Sequence, residues 1–181
     1  AASGSGSSAL RVNAGRFQGT VLEASGVDTG IFVHSPTDLA MYCYDLYQYT
    51  WGGAQITYNL LANGGTARTL DFLGSVNAVL NAGSTSDDPY AWLSPANAAQ
   101  SAAVQIGIWE SLYDTGWSLS EGAFQATGFG AETGDWLAQF FANIDSSSGL
   151  DARYVMTLQS DAYQDMITGA QVPEPGSLAL I

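Results

Sequence analysis

Few side chains in this chain are able to do covalent chemistry. Cys43 is its one cysteine and stands in the stretch YCYD, two residues before Asp45, and His34 is its one histidine. A cysteine nucleophile needs a base that forms the thiolate, so Cys43 and His34 could make a hydrolase pair. Neither residue lies in a recognisable protease signature. Judged from residue types alone, a reduced cysteine buried in the core is the alternative that stays open.

Metal and phosphate sites have little support in the sequence. One Cys and one His are too few for a zinc site, and no calcium-binding loop pattern occurs. The acidic stretch 86–89 is typical of a solvated turn. The glycine-rich stretch 128–134 does not follow a clear strand, which argues against a phosphate-binding loop. We therefore expect no metal and no cofactor.

A second stretch with a regular spacing lies later in the chain. In AVQIGIWESLYD, residues 103–114, Gln105 and Trp109 are four residues apart. In a helix this spacing places both side chains on the same face, one turn apart. Gln105 and Trp109 would therefore face the same neighbouring element.

Together, YCYD and VQIGIWE resemble the two signature segments of bacterial thioester domains. In that family an aromatic residue, Cys, a hydrophobic residue and Asp lie on a strand, and Gln, two residues, an apolar residue and Trp lie on a helix. The resemblance implies an internal thioester bond between Cys43 and Gln105, formed with loss of ammonia. The flanking positions of the two segments are matched by Tyr42, Asp45, Trp109 and Glu110.

The flanking residues have implied roles if the bond forms. A rigid strand facing a rigid helix would hold thiol and amide together, and such proximity contributes up to roughly 7–11 kcal/mol. Trp109 would shield the bond from water. Asp45 or Glu110 would either assist proton transfer or orient neighbours. The chain has Val104 where the family usually has Thr, and Gly107 where it often has Ala.

Strands are predicted on both sides of the Cys43 segment. Stretches rich in β-branched and aromatic residues, separated by Gly, Asp, Ser and Pro, predict strands within 16–24, 30–35, 39–49 and 54–61. Two further stretches, 152–159 and 163–171, read as closing strands. Cys43 would lie on the third of the early strands.

Helices are predicted in the middle of the chain. Apolar residues at helical spacing predict one over 66–81. A second is predicted to begin with Ser94 as N-cap and Pro95, and to stop near Gly116. Residues 135–145 predict a short third helix. Strands followed by helices and then strands indicate an α+β fold, here expected as a β-sandwich or barrel with an inserted helical subdomain.

Composition limits the possible partners. The chain has 181 residues with 46% hydrophobic, so most of it can form one folded domain, expected over 16–171 after a flexible lead at 1–15. The net charge is −13, which disfavours nucleic acid and anionic membrane surfaces. The chain contains no lysine, so a stored thioester would meet no ε-amine of its own.

The last residues carry a second resemblance. VPEPGSLALI, residues 172–181, is similar to the start of the PEP-CTERM sorting signal of Gram-negative bacteria. The resemblance implies export and a location at the cell surface or in the extracellular matrix, with membrane contact only through the sorting segment that would follow.

These observations lead to one main expectation of function. The chain is expected to be a monomeric surface adhesion domain, not an enzyme, whose Cys43–Gln105 thioester acylates a nucleophile on a target. That nucleophile would be a protein lysine amine or a polysaccharide hydroxyl. The alternative is a non-covalent binding or structural module of the surface or matrix, with a reduced, buried Cys43.

Overall fold

A computed structural model describes residues 9–172 of the chain. Part of the predicted lead at 1–15 and almost all of the predicted sorting signal at 172–181 lie outside the described residues.

The strands form one open, antiparallel sheet in the order β1-β2-β5-β4-β3. Because β2 and β5 are neighbours, the Cys43 segment pairs with a strand from the far end of the chain. The strands are β1 Phe17–Gly19, β2 Leu39–Cys43, β3 Asn59–Ala62, β4 Val155–Gln159 and β5 Met166–Gly169.

Three α-helices lie between β3 and β4 in the chain. They are α1 Ala67–Leu80, α2 Ala98–Tyr113 and α3 Ala131–Ala142. The predicted α+β class is confirmed. The predicted sandwich or barrel is not confirmed, because the described strands make a single sheet whose outer strands, β1 and β3, are joined to no further strand.

Side chains that cap the backbone determine where α1 and α2 begin. Thr66 accepts a hydrogen bond from the Thr69 N–H and begins α1, close to the predicted start. The predicted start of α2 at Ser94 and Pro95 is wrong. Ser94 instead closes a short 3-10 turn, and Asn97 is the N-cap that accepts from the Gln100 N–H.

The helix ends and the third helix also differ from the prediction. α2 ends at Tyr113, with Asp114 in extended conformation as its C-cap, before the predicted stop at Gly116. α3 begins at Ala131, four residues before the predicted 135. Its N-cap is Gly130, which offers no side chain as a capping signal.

The predicted strand at 39–49 is much shorter in the structure. β2 ends at Cys43, and the chain turns at Asp45, whose carboxylate accepts the Gln48 N–H at 3.2 Å and the Asp165 N–H at 2.9 Å. A polar side chain that binds nearby backbone N–H groups competes with strand pairing. The turn leaves Cys43 at the end of a strand, next to a loop.

Close packing joins α1 to α2. A Cβ on Gly107 would overlap the ring of Phe72, so the ring lies directly against the α2 backbone. Val104, one turn before the neighbouring Ile108, is fully buried. The two departures from the thioester-domain pattern in α2 are thus explained by packing: Val104 fills core space, and Gly107 makes room for an aromatic ring.

Candidate functional site

The site is built at the point where strand β1 stops pairing with β2. The β1–β2 register ends at Phe17 and Met41, whereas β2 continues to Cys43. On the other side Cys43 is in register with Met166 of β5, and the next N–H, that of Tyr44, donates to the carbonyl of Asp165. Among residues 9–172, the N–H and C=O of Cys43 therefore have no partner strand on the β1 side.

The Gln105 amide occupies this position. The Cys43 N–H donates to Gln105 Oε1 at 2.9 Å, and Gln105 Nε2 donates to the Cys43 carbonyl at 2.8 Å. Gln105 is fully buried on α2. Its side chain thus satisfies two backbone groups that would otherwise be buried without a partner. The predicted pair is brought together, through the backbone of Cys43.

The Cys43 thiol itself contacts a different glutamine. Sγ donates to Gln164 Oε1 at 3.0 Å, and Gln164 Nε2 donates to the Asp45 carbonyl at 2.7 Å. Cys43 is 2% exposed and Gln164 8%. Gln164 was missed by the sequence analysis. The sequence feature that could have pointed to Gln164 is its position just before strand β5. That position becomes informative only once β5 is known to lie beside β2.

Trp109 closes the site from the helix side. Its Nε1 donates to the Asp45 carbonyl at 3.2 Å, the same oxygen that accepts from Gln164. Trp109 lies one turn beyond Gln105 and is 2% exposed. The side chains of Gln105, Trp109 and Gln164 all bind backbone between Cys43 and Asp45, so they hold this short segment rigidly between α2 and β5.

The other predicted residues act on neighbouring segments. The Asp45 carboxylate binds backbone N–H groups of two loops, as described above. Tyr42 is buried, stacks on Trp92 at 5.9 Å between ring centroids and donates its hydroxyl to the Trp92 carbonyl. Glu110 accepts the Ser118 N–H at 2.9 Å. These contacts orient the chain around the site.

The electrostatics of the site keep the thiol protonated. Burial, and secondarily the negative charge of Asp45, raise the pKa of Cys43 to about 12. Burial also raises the pKa of Tyr42. His34 is exposed and, within the described part of the chain, makes no hydrogen bond to Cys43. The Cys43–His34 hydrolase pair is therefore not assembled, and its thiol is not activated.

Glu110 gives the fold a pH dependence. The residue is fully buried, and its Oε2 has no hydrogen-bond partner among the described residues. Burial raises the pKa of its carboxyl from 4.5 to about 6. The folded protein therefore holds this proton more tightly than the unfolded chain. This contribution to stability is complete below pH 4.5 and is lost as the pH rises through about 6.

We predict that Glu110→Gln removes this pH dependence. The free energy of unfolding of the variant, relative to the wild type, should rise by up to about 2 kcal/mol between pH 4.5 and 7, because the wild type must bury a charge at the higher pH. Urea unfolding across this range measures the difference. Glu121→Gln, at an exposed position, is the control and should show no such change. A constant difference for Glu110→Gln would contradict the prediction.

Other surface features lie away from Cys43. A depression of about 360 Å³ on the helical side is lined largely by apolar side chains, including Trp117, Phe129 and Phe141. A second, of about 350 Å³, lies beside Asn77 and Tyr154. Among residues 9–172 no cluster of three or more His, Cys, Asp or Glu could hold a metal ion. None of the described helices is long and apolar enough to cross a membrane.

The arrangement holds a buried thiol, two amide groups and a tryptophan within one network. Comparisons with protein-family models, with curated proteins and with solved structures found no match for this chain. The contacts around Cys43 are therefore the basis for inferring its function.

Proposed function

We propose that this chain is a surface adhesion domain that stores an internal thioester between Cys43 and Gln105. The observation that carries the proposal is the double hydrogen bond between the Gln105 amide and the backbone of Cys43. It holds the acyl group against the residue that carries the thiol, on two rigid elements.

Formation of the bond requires Cys43 Sγ to turn from Gln164 Oε1, which it contacts at 3.0 Å, to the amide carbon of Gln105. Sγ of Cys43 attacks Cδ of Gln105, the C–N bond breaks, and the thiol proton leaves with the amide nitrogen as ammonia. Negative charge develops on Gln105 Oε1, which accepts the Cys43 N–H at 2.9 Å. A fixed donor aimed at a developing oxyanion typically contributes about 3–4 kcal/mol to such a step.

Opening of the bond transfers the acyl group to the target. An amine or hydroxyl of the target attacks the same carbon, the C–S bond breaks, and the proton passes to the Cys43 sulfur. The Cys43 N–H again stabilises the oxyanion. Because Cys43, Gln105 and Trp109 are almost fully buried, water reaches the bond slowly. The domain reacts once and is not regenerated, so we do not class it as an enzyme.

The setting of this chemistry is proposed from sequence. The similarity of 172–181 to a PEP-CTERM signal supports export to the surface or matrix of a Gram-negative bacterium. The absence of lysine from the chain supports a monomer that does not acylate its own copies. The partner is a surface molecule with an amine or hydroxyl, and no cofactor is needed. A sandwich or barrel completed around the open sheet stays a prediction.

A non-covalent binding or structural module is the second candidate. It is favoured by one observation, the hydrogen bond from the Cys43 thiol to Gln164, which together with the raised pKa suits a permanently reduced cysteine. In that case Gln105 would serve only to satisfy the backbone at the end of β2.

Intact mass under denaturing, non-reducing conditions tests the proposal. We expect freshly prepared protein to be lighter than its sequence by one ammonia, and Cys43→Ala to have its full mass. Methylamine should add its whole mass to the thioester form and nothing to Cys43→Ala. A full mass with one alkylatable thiol in repeated fresh preparations would instead support the non-covalent module.

A further inference from the structure

Three large aromatic side chains are exposed on the loop that follows Cys43. Tyr47, Tyr49 and Trp51 are 75%, 62% and 60% exposed. Large aromatic rings are usually buried in a domain of this size, and a cluster of exposed ones marks an interaction surface. We call Tyr47, Tyr49 and Trp51 the aromatic rim.

The aromatic rim is anchored to the elements that build the site. Tyr47 packs edge-on against Tyr113 at the end of α2, with ring centroids 5.4 Å apart. Trp51 packs edge-on against Tyr163 at 5.8 Å, and Tyr163 directly precedes Gln164, the partner of the thiol. The rim is therefore fixed to the end of α2 and to the segment before β5, the two elements that flank Cys43, and it lies on the loop that leaves the site.

The surroundings of the aromatic rim carry little charge. Residues 46–67 contain no charged side chain, although the chain as a whole has a net charge of −13. Asp45 and Asp165 use their carboxylates on backbone N–H groups. Asp161 is the one exposed acid on the loop before Gln164. A cationic partner would find few carboxylates here, and a polyanion would be repelled by the acidic domain.

We propose that the aromatic rim binds a neutral polysaccharide and presents its hydroxyl groups to the thioester. Tyr and Trp rings offer an apolar face for the C–H face of a sugar and a polar edge for its hydroxyls. This inference rests on the proposed function and names its substrate class. The sugar hydroxyl oxygen attacks Cδ of Gln105, the C–S bond breaks, and the hydroxyl proton moves to Cys43 Sγ, leaving an ester and a free thiol.

Binding is tested separately from acylation by using Cys43→Ser protein, which cannot form the thioester. Affinity electrophoresis through gels containing hydroxyethylcellulose, dextran or galactomannan measures non-covalent binding to neutral polysaccharides. Gels containing alginate and a polylysine titration are the charged probes. Trp51→Ala and Tyr47→Ala remove rim rings, and Leu22→Ala removes an equally exposed apolar side chain outside the rim (72% exposed). Thermal unfolding checks that each variant is folded.

We expect at least one neutral polysaccharide to retard the Cys43→Ser protein, with affinity falling at least fivefold in Trp51→Ala and Tyr47→Ala and unchanged in Leu22→Ala. Binding to alginate or polylysine alone, no retardation by any neutral polysaccharide, or equal binding by all variants would overturn the inference. Loss of a dimer on Trp51→Ala, seen by sedimentation, would also overturn it, because the rim would then be an interface between copies.

The two proposals fail in distinguishable ways. If Cys43→Ser binds a neutral polysaccharide but the wild type shows no ammonia deficit, the rim inference stands as non-covalent binding and the thioester is wrong. If the deficit is present but no neutral polysaccharide is bound, the thioester stands and the rim inference is wrong.

Discussion

Gln105→Glu is expected to abolish the ammonia deficit in the intact mass, whereas Gln164→Glu is expected to retain it. Both substitutions replace an amide by a carboxyl group of the same shape. They differ only in which glutamine loses the amide nitrogen that would leave as ammonia. Gln105 Oε1 already accepts the Cys43 N–H, the donor needed by the oxyanion. A carboxylic acid at position 105 would keep this hydrogen bond but could not expel ammonia.

We expect Gln164 to be the weaker acyl donor, although it is the glutamine that contacts Cys43 Sγ. In that contact the thiol points its hydrogen at Gln164 Oε1, so the sulfur lone pair is not aimed at the amide carbon. Gln164 Oε1 accepts no backbone N–H among the described hydrogen bonds, so its oxyanion would lack a fixed donor. We expect Gln164 to orient the thiol before it reacts.

The masses of Gln105→Glu and Gln164→Glu decide which glutamine forms the bond with Cys43. If the deficit persists in Gln105→Glu and disappears in Gln164→Glu, the bond joins Cys43 to Gln164 and the assignment from the sequence resemblance is wrong. Both variants must unfold cooperatively in urea, because an unfolded chain would also lack the bond. Gln139→Glu, on the exposed part of α3, controls for the change of charge.

The sequence predicted the elements of this fold better than their arrangement. Helix α1 is predicted almost to its ends because its apolar residues follow the helical period, and the structure adds Thr66 as its N-cap. β2 was predicted too long, because apolar and aromatic residues continue past the point where Asp45 turns the chain. Local patterns do not reveal which backbone N–H groups a carboxylate will bind.

The candidate site also contains one part that the sequence predicts and one part that it does not. The spacing of Gln105 and Trp109 on one helix face is a local property and was read correctly from the sequence. Gln164 lies 121 residues from Cys43 and reaches the thiol because β5 pairs with β2. The order of strands in a sheet depends on contacts between residues that are distant in the chain. Short sequence motifs therefore cannot predict residues such as Gln164, whose position depends on that order.

The free thiol of Cys43 is expected to be about a thousandfold less reactive in the folded protein than in the unfolded chain. Gln105→Leu protein supplies this thiol, because it cannot form the proposed bond and adds no charge beside the sulfur. The thiolate is the species that alkylates, and burial next to Asp45 raises the pKa of Cys43 from 9.0 to about 12. Near pH 8, a pKa that is higher by about three lowers the thiolate population by about a thousandfold.

Iodoacetamide alkylation followed by mass spectrometry measures this rate in buffer and in urea. Between pH 7 and 9 the folded rate should rise about tenfold per pH unit, since the thiolate fraction does so well below the pKa. Asp45→Asn should raise the folded rate severalfold, because it removes the negative charge that opposes the thiolate. Fast alkylation at pH 7 that is lost in His34→Ala would instead reveal an activated cysteine. It would favour a hydrolase over a stored acyl group, because a thiol with a strongly raised pKa is a poor leaving group and would let a thioester persist until a target nucleophile arrives.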